Sequence, residues 1–306
     1  MRIGIMLGAD RAAATVEGVA SMAVRAEKAG LDSVWMAHIR TLDAISALTV
    51  AATRTKRIEL GPAVTPIYPR HPMALAQQAL TAQQVAGGRF TLGVGVSHRV
   101  VVENMLGMSY AKPAEYMREY LGALLPLLQG EVVHYDSPRF TVHGLQLDVK
   151  GASDVPVILA ALGPVMLRLA GAHTQGTTTW MVGPVTLENH IAPRLNAAAS
   201  AVGRPTPRVL AGFPIVLTAR ADEAREQIAR NLEIYGQLPS YRAMLDREGL
   251  AGPGDLALVG DEKTLRAELQ RIAAAGVTDF KAAIMATDAG AFDRTFDFVA
   301  SLVGQV

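Results

Sequence analysis

The sequence predicts an α/β protein with a parallel sheet, in the form of a (β/α)8 TIM barrel with insertion segments. Eight short apolar runs, each typical of a strand buried on both faces, alternate with longer segments of helical periodicity over 306 residues. The connections between successive strands are too long for hairpins, which indicates parallel pairing. Alternation alone also fits a doubly wound open sheet, so that fold is the alternative.

Local signals at the ends of the elements set their predicted bounds. Asp43 and Asp261 can cap helix starts, Pro72 suits a first helical turn, and Gly87 ends the same helix. The predicted strands are 2–7, 32–37, 58–64, 90–94, 155–160, 177–182, 209–218 and 280–284. The predicted helices are 15–30, 43–53, 72–86, 113–128, 163–172, 186–202, 221–247 with a break near 236–239, a helix capped by Asp261 with 264–275 at its centre, and 289–302.

These elements make one domain spanning 1–306, interrupted by three predicted insertions. The first, at about 99–112, is a loop or short helix. The second, at 131–149, alternates and turns like a β-hairpin, and the third lies at about 236–256. We expect the first two insertions to shape a substrate pocket.

Composition excludes several classes of function. Half of the residues are hydrophobic and the net charge is +1, so nothing indicates a nucleic-acid surface. The chain has no cysteine, so disulfides, thiol nucleophiles and Cys-ligated metals are excluded, and its seven histidines show no metal-ligand spacing. No apolar run reaches the roughly 18 residues of a membrane span. A protein of the cytoplasm is the expectation.

The stretch RHPMALAQQALTAQQVAGGRFTLGVGVSH, residues 70–98, is the most informative part of the chain. It predicts a helix, a glycine turn and a buried strand that ends in small residues. Gly93, Gly95 and Ser97 would let a flat or anionic ligand approach the backbone. Arg70 can contact an anion or brace its loop through a carboxylate, and Arg89 is expected to fix the turn within the fold.

This stretch resembles the segment that marks the bacterial luciferase-like flavin and deazaflavin oxidoreductases. In that superfamily a helix led by His-Pro runs into a strand of the form GGR(F)xLGVG, and here His71-Pro72 precedes GGRFTLGVG. The resemblance covers nearly the whole chain and selects the barrel over the open sheet. It implies an oxidoreductase of the coenzyme F420-dependent branch, similar to methylenetetrahydromethanopterin reductase. A small-molecule substrate and a homodimer are also implied.

His38, at the end of the second strand, is the first catalytic candidate. The superfamily places a histidine at this strand end, where it would handle a proton beside the reactive ring. Deazaflavin users usually have Asp-His there, whereas this chain has Ala37-His38. An FMN-dependent monooxygenase on the same scaffold therefore stays open as an alternative. A barrel that binds a flavin or deazaflavin without catalysis is the second alternative.

Three residues at the end of the third strand, Ala63, Val64 and Thr65, are predicted to contact the cofactor. The resemblance implies a cis peptide bond here, between Ala63 and Val64, in a bulge that supports the back of the deazaflavin ring. An ordinary β-bulge before a proline-rich loop is the alternative. Asp10 and Arg40 follow the first and second strands at the same rim.

The fifth strand is followed by Ala161, Leu162 and Gly163, a turn that matches the superfamily's phosphate-contacting turn. It enters a helix, whose free N–H groups and dipole suit a phosphate. His98 occupies the place where sugar-phosphate dehydrogenase relatives have a glutamate, so sugar oxidation by that route is not expected. His98 is the second catalytic candidate and would face the substrate; simple exposure is the alternative.

Overall fold

The structure, a computed structural model, describes residues 1–8, 14–39 and 41–306. The strands lie close to the bounds that the sequence predicts. They are β1 (Arg2–Leu7), β2 (Ser33–Met36), β3 (Glu59–Pro62), β4 (Thr65–Pro66), β5 (Leu92–Gly95), β6 (Val133–Asp136), β7 (Thr141–Leu145), β8 (Val157–Ala160), β9 (Gly176–Trp180), β10 (Arg208–Leu217), β11 (Leu258–Gly260) and β12 (Asp279–Ile284).

The parallel strands form a closed barrel, which confirms the predicted fold class. β3 and β4 are two pieces of one barrel position, so the order around the barrel is β1, β2, β3/β4, β5, β8, β9, β10 and β12. β12 pairs in parallel with β1. A parallel bridge between Leu60 and Phe90 joins β3 to the start of the fifth-strand segment and completes the ring.

Helices cover the outside of the barrel, and the predicted caps are present. Asp43 Oδ1 accepts from the N–H of Ser46 at 2.8 Å, and Asp261 Oδ1 does the same for Thr264. Gly87 ends its helix with φ of 58°. The helices are α1 (Val16–Lys28), α2 (Ala44–Thr53), α3 (Pro72–Ala86), α4 (Pro113–Leu128), α5 (Pro164–His173), α6 (Pro184–Thr186), α7 (Ala192–Ser200), α8 (Ala221–Asn231), α9 (Glu233–Gln237), α10 (Pro239–Glu248), α11 (Glu262–Ala274) and α12 (Ala291–Ser301).

The interior of the barrel is layered along its axis. At the amino ends of the strands, Arg208 pairs with Glu59 at 2.8 Å and with Asp279 at 2.6 Å. Trp35 lies fully buried beside Leu210 and fills the middle of the barrel. A Cβ at Gly61 would lie 2.5 Å from the Trp35 ring, so this strand position has room only for glycine. The indole ring of Trp35 thus separates the charged amino end of the barrel interior from its carboxyl end.

The insertions differ from the prediction in detail. Residues 131–149 contain the predicted hairpin, with β6 and β7 antiparallel, and residues 99–112 contain a π-helix at Val100–Met105. Within 236–256 the chain forms α10 and a 3-10 turn at Pro253–Leu256. The sequence prediction missed β11, because its three residues are too short to show periodicity. None of the described helices is both long and apolar enough to span a bilayer.

Candidate active site

A cavity of about 340 Å³ lies where the barrel strands end at their carboxyl side. Its wall is mostly apolar, and no aspartate or glutamate of the described chain is part of it. The lining residues are Ala63, Val64, Gly95, Val96, Ser97, His98, Tyr110, Pro113, Ala160, Ala161, Leu162, Gly163, Met166, Thr178, Thr179, Trp180, Ser240, Tyr241 and Lys281.

Most of the residues predicted from the sequence come together in this wall. Those that line the cavity are Ala63, Val64, Gly95, Ser97, His98, Ala161, Leu162 and Gly163. His38, Thr65 and Gly93 are not among the lining residues. Asp10 and Arg40, at the same rim in the sequence, fall outside the described residues.

One side of the cavity is the junction of β3 and β4. The peptide bond between Ala63 and Val64 is cis, in agreement with the prediction. Two glycines of β5 make room for the bulge. A Cβ at Gly93 would lie 2.0 Å from the carbonyl oxygen of Pro62, and a Cβ at Gly95 would lie 2.5 Å from Val64 Cγ2. Gly93 therefore serves the packing of two strands, while Gly95 both supports Val64 and lines the cavity.

The opposite side is the turn from β8 into α5. Gly163 is the N-cap of α5 with φ of −81°, and no side chain in the described part of the chain caps this helix start. Pro164 occupies the first turn and has no N–H, so the free donors are those of the following residues. His190 Nε2 lies 2.8 Å from the Leu162 carbonyl oxygen and holds the turn from below. The helix start thus presents unpaired N–H groups at the cavity rim.

His38 lies in a charged cluster beside the cavity. Its Nε2 is 3.1 Å from Arg70 Nη2 and 3.4 Å from Asp43 Oδ2, while Arg70 also donates to Asp43 at 3.0 Å. Burial, and then the nearby Arg70 guanidinium, lower the pKa of His38, although Asp43 opposes them. Because arginine only donates, Nε2 accepts and Nδ1 carries the proton. Nδ1 is buried without a partner among the described residues.

Hydrogen bonds resolve the alternatives for Arg70, in this cluster, and for Arg89, which lies elsewhere. Arg70 braces its loop through Asp43 and through the carbonyl of Pro66, rather than presenting its charge to the cavity. Arg89 donates to the carbonyls of Ala52, Thr55 and Ile58, which confirms its place inside the fold.

His98 and its neighbours form the rim on the side of the first insertion. Burial lowers the pKa of His98. Its ring lies 5.7 Å from that of Tyr241, which reaches in from α10. Ser97 has φ of 58°, and its carbonyl accepts from the Tyr110 hydroxyl at 3.0 Å. The first and third insertions therefore contribute to the cavity wall. The 131–149 hairpin contributes no lining residue, contrary to expectation, and packs on α4.

Sequence reasoning missed Thr178, Thr179 and Lys281, which belong to the far wall and the floor that β9 and β12 supply. Thr178, Thr179 and Trp180 lie at the end of β9, and Lys281 lies within β12. Lys281 did carry a signal. A lysine inside the short apolar run FKAAI is unusual, since strands buried on both faces are almost wholly apolar. Tyr241 gave no comparable signal, because its helix lies far from the strand ends in the sequence.

Lys281 is 1% exposed and donates a hydrogen bond to Thr178 Oγ1. Burial lowers its pKa to about 7.

Within the ranges that the structure covers, no group of three His, Cys, Asp or Glu side chains is arranged to hold a metal ion.

The comparison with known families identifies the class of protein. The profile of the luciferase-like monooxygenase family matches residues 1–290, so the chain belongs to this family. The 5,10-methylenetetrahydromethanopterin reductase of Methanolobus tindarius is 30% identical over 234 residues, which are 76% of this chain and 71% of that protein. The enzyme of the same name from Archaeoglobus fulgidus is 36% identical over 152 residues, 49% of this chain and 45% of that protein.

Solved structures share the fold over nearly the whole chain. The coenzyme F420-dependent tetrahydromethanopterin reductase of Methanopyrus kandleri has a TM-score of 0.78, with 22% identity and 99% of each chain covered. The oxygenating constituent of the 3,6-diketocamphane monooxygenase of Pseudomonas putida, in complex with FMN, has a TM-score of 0.79, with 16% identity and 99% and 97% covered. These structures show the shared fold. The family match and the sequence relatives identify the chain as an oxidoreductase of the class that uses coenzyme F420 or a flavin.

Proposed function

We propose that the chain is a coenzyme F420-dependent oxidoreductase, which moves a hydride between C5 of the deazaflavin and a small organic substrate. The observation that carries the proposal is the mostly apolar cavity between the Ala63–Val64 bulge and the Ala161–Gly163 turn. The sequence similarity to 5,10-methylenetetrahydromethanopterin reductases favours F420. When bound, the deazaflavin supplies the hydride chemistry, and the protein supplies binding and orientation.

The residues present fit such a group. A flat ring with a phosphate tail needs an apolar slot, a few donors for its carbonyl oxygens and N–H groups for the phosphate. Thr179 Oγ1 and Trp180 Nε1 are buried without partners in the described part of the chain. Buried polar atoms are nearly always paired, so an occupant of the cavity is expected to satisfy them. The uncapped start of α5 suits the phosphate.

In this proposal each wall has its own task. Ala63 and Val64 contact one face of the ring, and Thr65 and Gly93 hold that wall in place from behind. Gly95 and Ser97 contact the ring edge. Ala161, Leu162 and Gly163 bind the phosphate. His98 faces the substrate at the rim, together with Tyr241, where the two rings exclude water from the exposed face of the cofactor.

His38 is proposed as the proton handler, acting through Nδ1: the neutral imidazole donates a hydrogen bond to the reacting group, and the imidazolium form gives up a proton. Its lowered pKa favours the neutral imidazole near pH 7, and its Nδ1–H is left without an acceptor among the described residues. Arg70 fixes the ring because it donates to Nε2. This geometry leaves the donor outside the cavity wall, so proton delivery requires a substrate group or a water molecule that reaches it.

The second candidate is an FMN-dependent monooxygenase. It is favoured by Ala37, which stands where deazaflavin users usually have an aspartate, and by the equal structural likeness to an FMN-binding monooxygenase. The two candidates differ in the ring and in the reaction, since the monooxygenase consumes oxygen.

Side-by-side titration tests the proposal. The protein is titrated with coenzyme F420 and with FMN, and binding is followed by quenching of the cofactor's fluorescence. Tighter binding of F420 supports the proposal, and preference for FMN overturns it in favour of the monooxygenase. Failure to bind either cofactor removes both. Anaerobic reduction or oxidation of bound F420 by a set of alcohols, ketones and imines then tests hydride transfer, and F420 binding without any turnover indicates a non-catalytic barrel.

A further inference from the structure

The floor of the cavity carries a lysine that has no task in the proposed function. The side chain of Lys281 is fully buried, yet it contributes to the cavity lining. Thr178 Oγ1 is its hydrogen-bond partner, and burial alone accounts for the change in its pKa, with no carboxylate among the causes. Buried lysines are almost always paired with an anion, since an unpaired ammonium loses its hydration.

The neighbouring strand is shaped around this side chain. Gly212 of β10 lies between β9 and β12, where a Cβ would be 2.5 Å from Lys281 Cε and 3.1 Å from Trp180 Cε3. The missing side chain lets the lysine cross over β10 to Thr178 and lets the indole pack next to it. A purely structural site would be filled at lower cost by an apolar side chain.

The groups at this end of the cavity are hydrogen-bond donors in excess. The ammonium of Lys281 has three N–H groups and no capacity to accept, and the indole N–H of Trp180 can only donate. Lys281 has one acceptor, Thr178 Oγ1, for its three N–H groups, and the indole N–H has none among the described residues. These adjacent donors call for an acceptor that enters with the ligand, because buried unpaired donors are costly.

We propose that Lys281, with Trp180 beside it, binds the carbonyl edge of the flat ring that occupies the cavity. This inference rests on the proposed function, because it needs a flavin or deazaflavin ring in that space. The ring's pyrimidinedione edge carries carbonyl oxygens and gains electron density when the ring is reduced, so a cation there favours the reduced form. Lys281 thereby becomes a binding residue for the ring.

A phosphate shares the same acceptor chemistry, but position favours the ring. Lys281 lies within β12, beside Gly212 and Trp180, whereas the start of α5 follows the carboxyl end of β8. A phosphate dianion at the floor would be stripped of water opposite one ammonium, which is unfavourable. A ring carbonyl needs far less hydration.

The charged groups around Lys281 set the direction of its pH dependence. On its own strand Asp279 is paired with Arg208 of β10, and Arg2 of β1 and Glu59 of β3 complete that network. The other titratable lining residues are His98, Tyr110 and Tyr241. Because the ring binds the ammonium form, we expect its affinity to be highest below pH 7. It weakens as the pH rises through the pKa of the free lysine, which is about 7.

The test uses rings with and without phosphate. F420, FMN, riboflavin and the phosphate-free deazaflavin riboside are titrated against the wild type, Lys281→Met, Lys281→Arg and the exposed control Lys263→Met at pH 6 and pH 8.5. We expect Lys281→Met to weaken ring binding by about 10- to 100-fold at pH 6, with or without phosphate, and to remove the pH dependence. Lys281→Arg should retain part of the affinity, and Lys263→Met all of it.

Each outcome decides the matter. Loss of affinity only for the phosphate-bearing compounds, or equal affinity of Lys281→Met and the wild type, overturns the inference and leaves the proposed function intact. Absence of binding by the wild type removes the proposed function and the inference together. NMR of lysine labelled with ¹³C at Cε gives a second measurement that needs no methionine variant, since the chain has only six lysines. Ring addition should raise the pKa of Lys281, and an unchanged titration contradicts the contact.

Discussion

The two ends of the barrel interior use charge in opposite ways. At the amino end, Arg208 lies between Glu59 and Asp279, and Arg2 adds a second cation. Burial alone would raise the pKa of Glu59, but Arg208 and Arg2 outweigh burial and hold the pKa below its ordinary value. Every charge in this network faces an opposite charge, which is the arrangement that a permanently closed core requires.

Toward the carboxyl end, the same sheet carries donors that the described residues satisfy only in part. β12 carries Asp279 at one end and Lys281 two residues later, and β10 carries Arg208 and then Gly212. The buried ring of Trp35 separates the two layers. On the proposed binding of a ring, buried polar groups stabilise the fold where they are paired and serve ligand binding where they are not.

Removing the central cation of the amino end should have the largest effect. Arg208→Met leaves Glu59 and Asp279 buried with too few partners, which we expect to lower the free energy of unfolding by about 3 kcal/mol. Ring affinity should be unchanged in the folded variant, because Trp35 lies between the network and the cavity. Urea denaturation measures the first quantity and cofactor titration the second.

The control for this variant is Arg54→Met, which removes an exposed arginine paired with the exposed Glu17. Surface ion pairs contribute little, so no measurable change is expected. If Arg208→Met weakens ring binding while it remains folded, the two ends are coupled and the separation by Trp35 is wrong.

The buried lysine of the carboxyl end should make the folding stability depend on pH. The pKa of Lys281 is about 7 in the folded protein and 10.5 as its ordinary value, so between these values the unfolded chain binds more protons. Stability of the wild type should therefore rise with pH from about 7 to about 10 by this contribution. Lys281→Met should lack this rise, and its advantage over the wild type should be largest below pH 7.

Denaturation of both proteins at pH 6, 8 and 9.5, in the absence of any cofactor, measures the difference. Parallel stability profiles for the wild type and Lys281→Met would show that the lysine keeps its proton in the folded state, and that a partner satisfies it.

The fold was predictable because its signals are local. The caps Asp43 and Asp261, the stop at Gly87 and the apolar runs each act within one or two turns of chain. Closure of the ring required the resemblance, since the Leu60–Phe90 bridge leaves no pattern in the sequence. β11 was missed because three residues cannot display a period.

The candidate site was predictable only where it follows glycines and strand ends. Ala63, Gly95 and Ala161 were found because small residues at strand ends leave the backbone open to a ligand. Trp180 and Lys281 point into the barrel by the alternation of their strands, but the depth at which they meet depends on Gly212 of a different strand. Contacts between strands that are distant in sequence leave no local signal.

Substitution of Gly95, in the wall of the cavity, should have a smaller effect on stability. In Gly95→Ala the new methyl would lie 2.5 Å from Val64 Cγ2 and 3.3 Å from Ala160 Cβ, so Val64 must move toward the cavity. We expect a loss of about 1–3 kcal/mol in the free energy of unfolding and weaker ring binding. The double variant Gly95→Ala/Val64→Ala should recover stability, because it removes the methyl groups that clash.

Gly252→Ala is the matched control for this glycine. Nothing lies within 4 Å of its Cβ position, and its φ of −157° is open to any residue. Both stability and ring binding should stay at the wild-type level. Failure of the double variant to recover stability would show that the strain arises at Ala160 instead.

His38 has one polar atom that is paired and one that has no partner among the described residues. Substitution of His38 should have the smallest effect on stability. Its Nε2 is satisfied by Arg70, whereas its Nδ1 is not satisfied. His38→Gln places an amide near Nε2 and keeps the Arg70 contact, while His38→Asn places an N–H donor near Nδ1. The free energy of unfolding of each variant should lie within about 1 kcal/mol of the wild-type value, because each substitution affects one hydrogen bond. Turnover should fall about 100-fold in His38→Gln and less in His38→Asn. Full turnover in both variants would remove the role proposed for His38 and would leave the proposed contact of Lys281 with the ring unaffected.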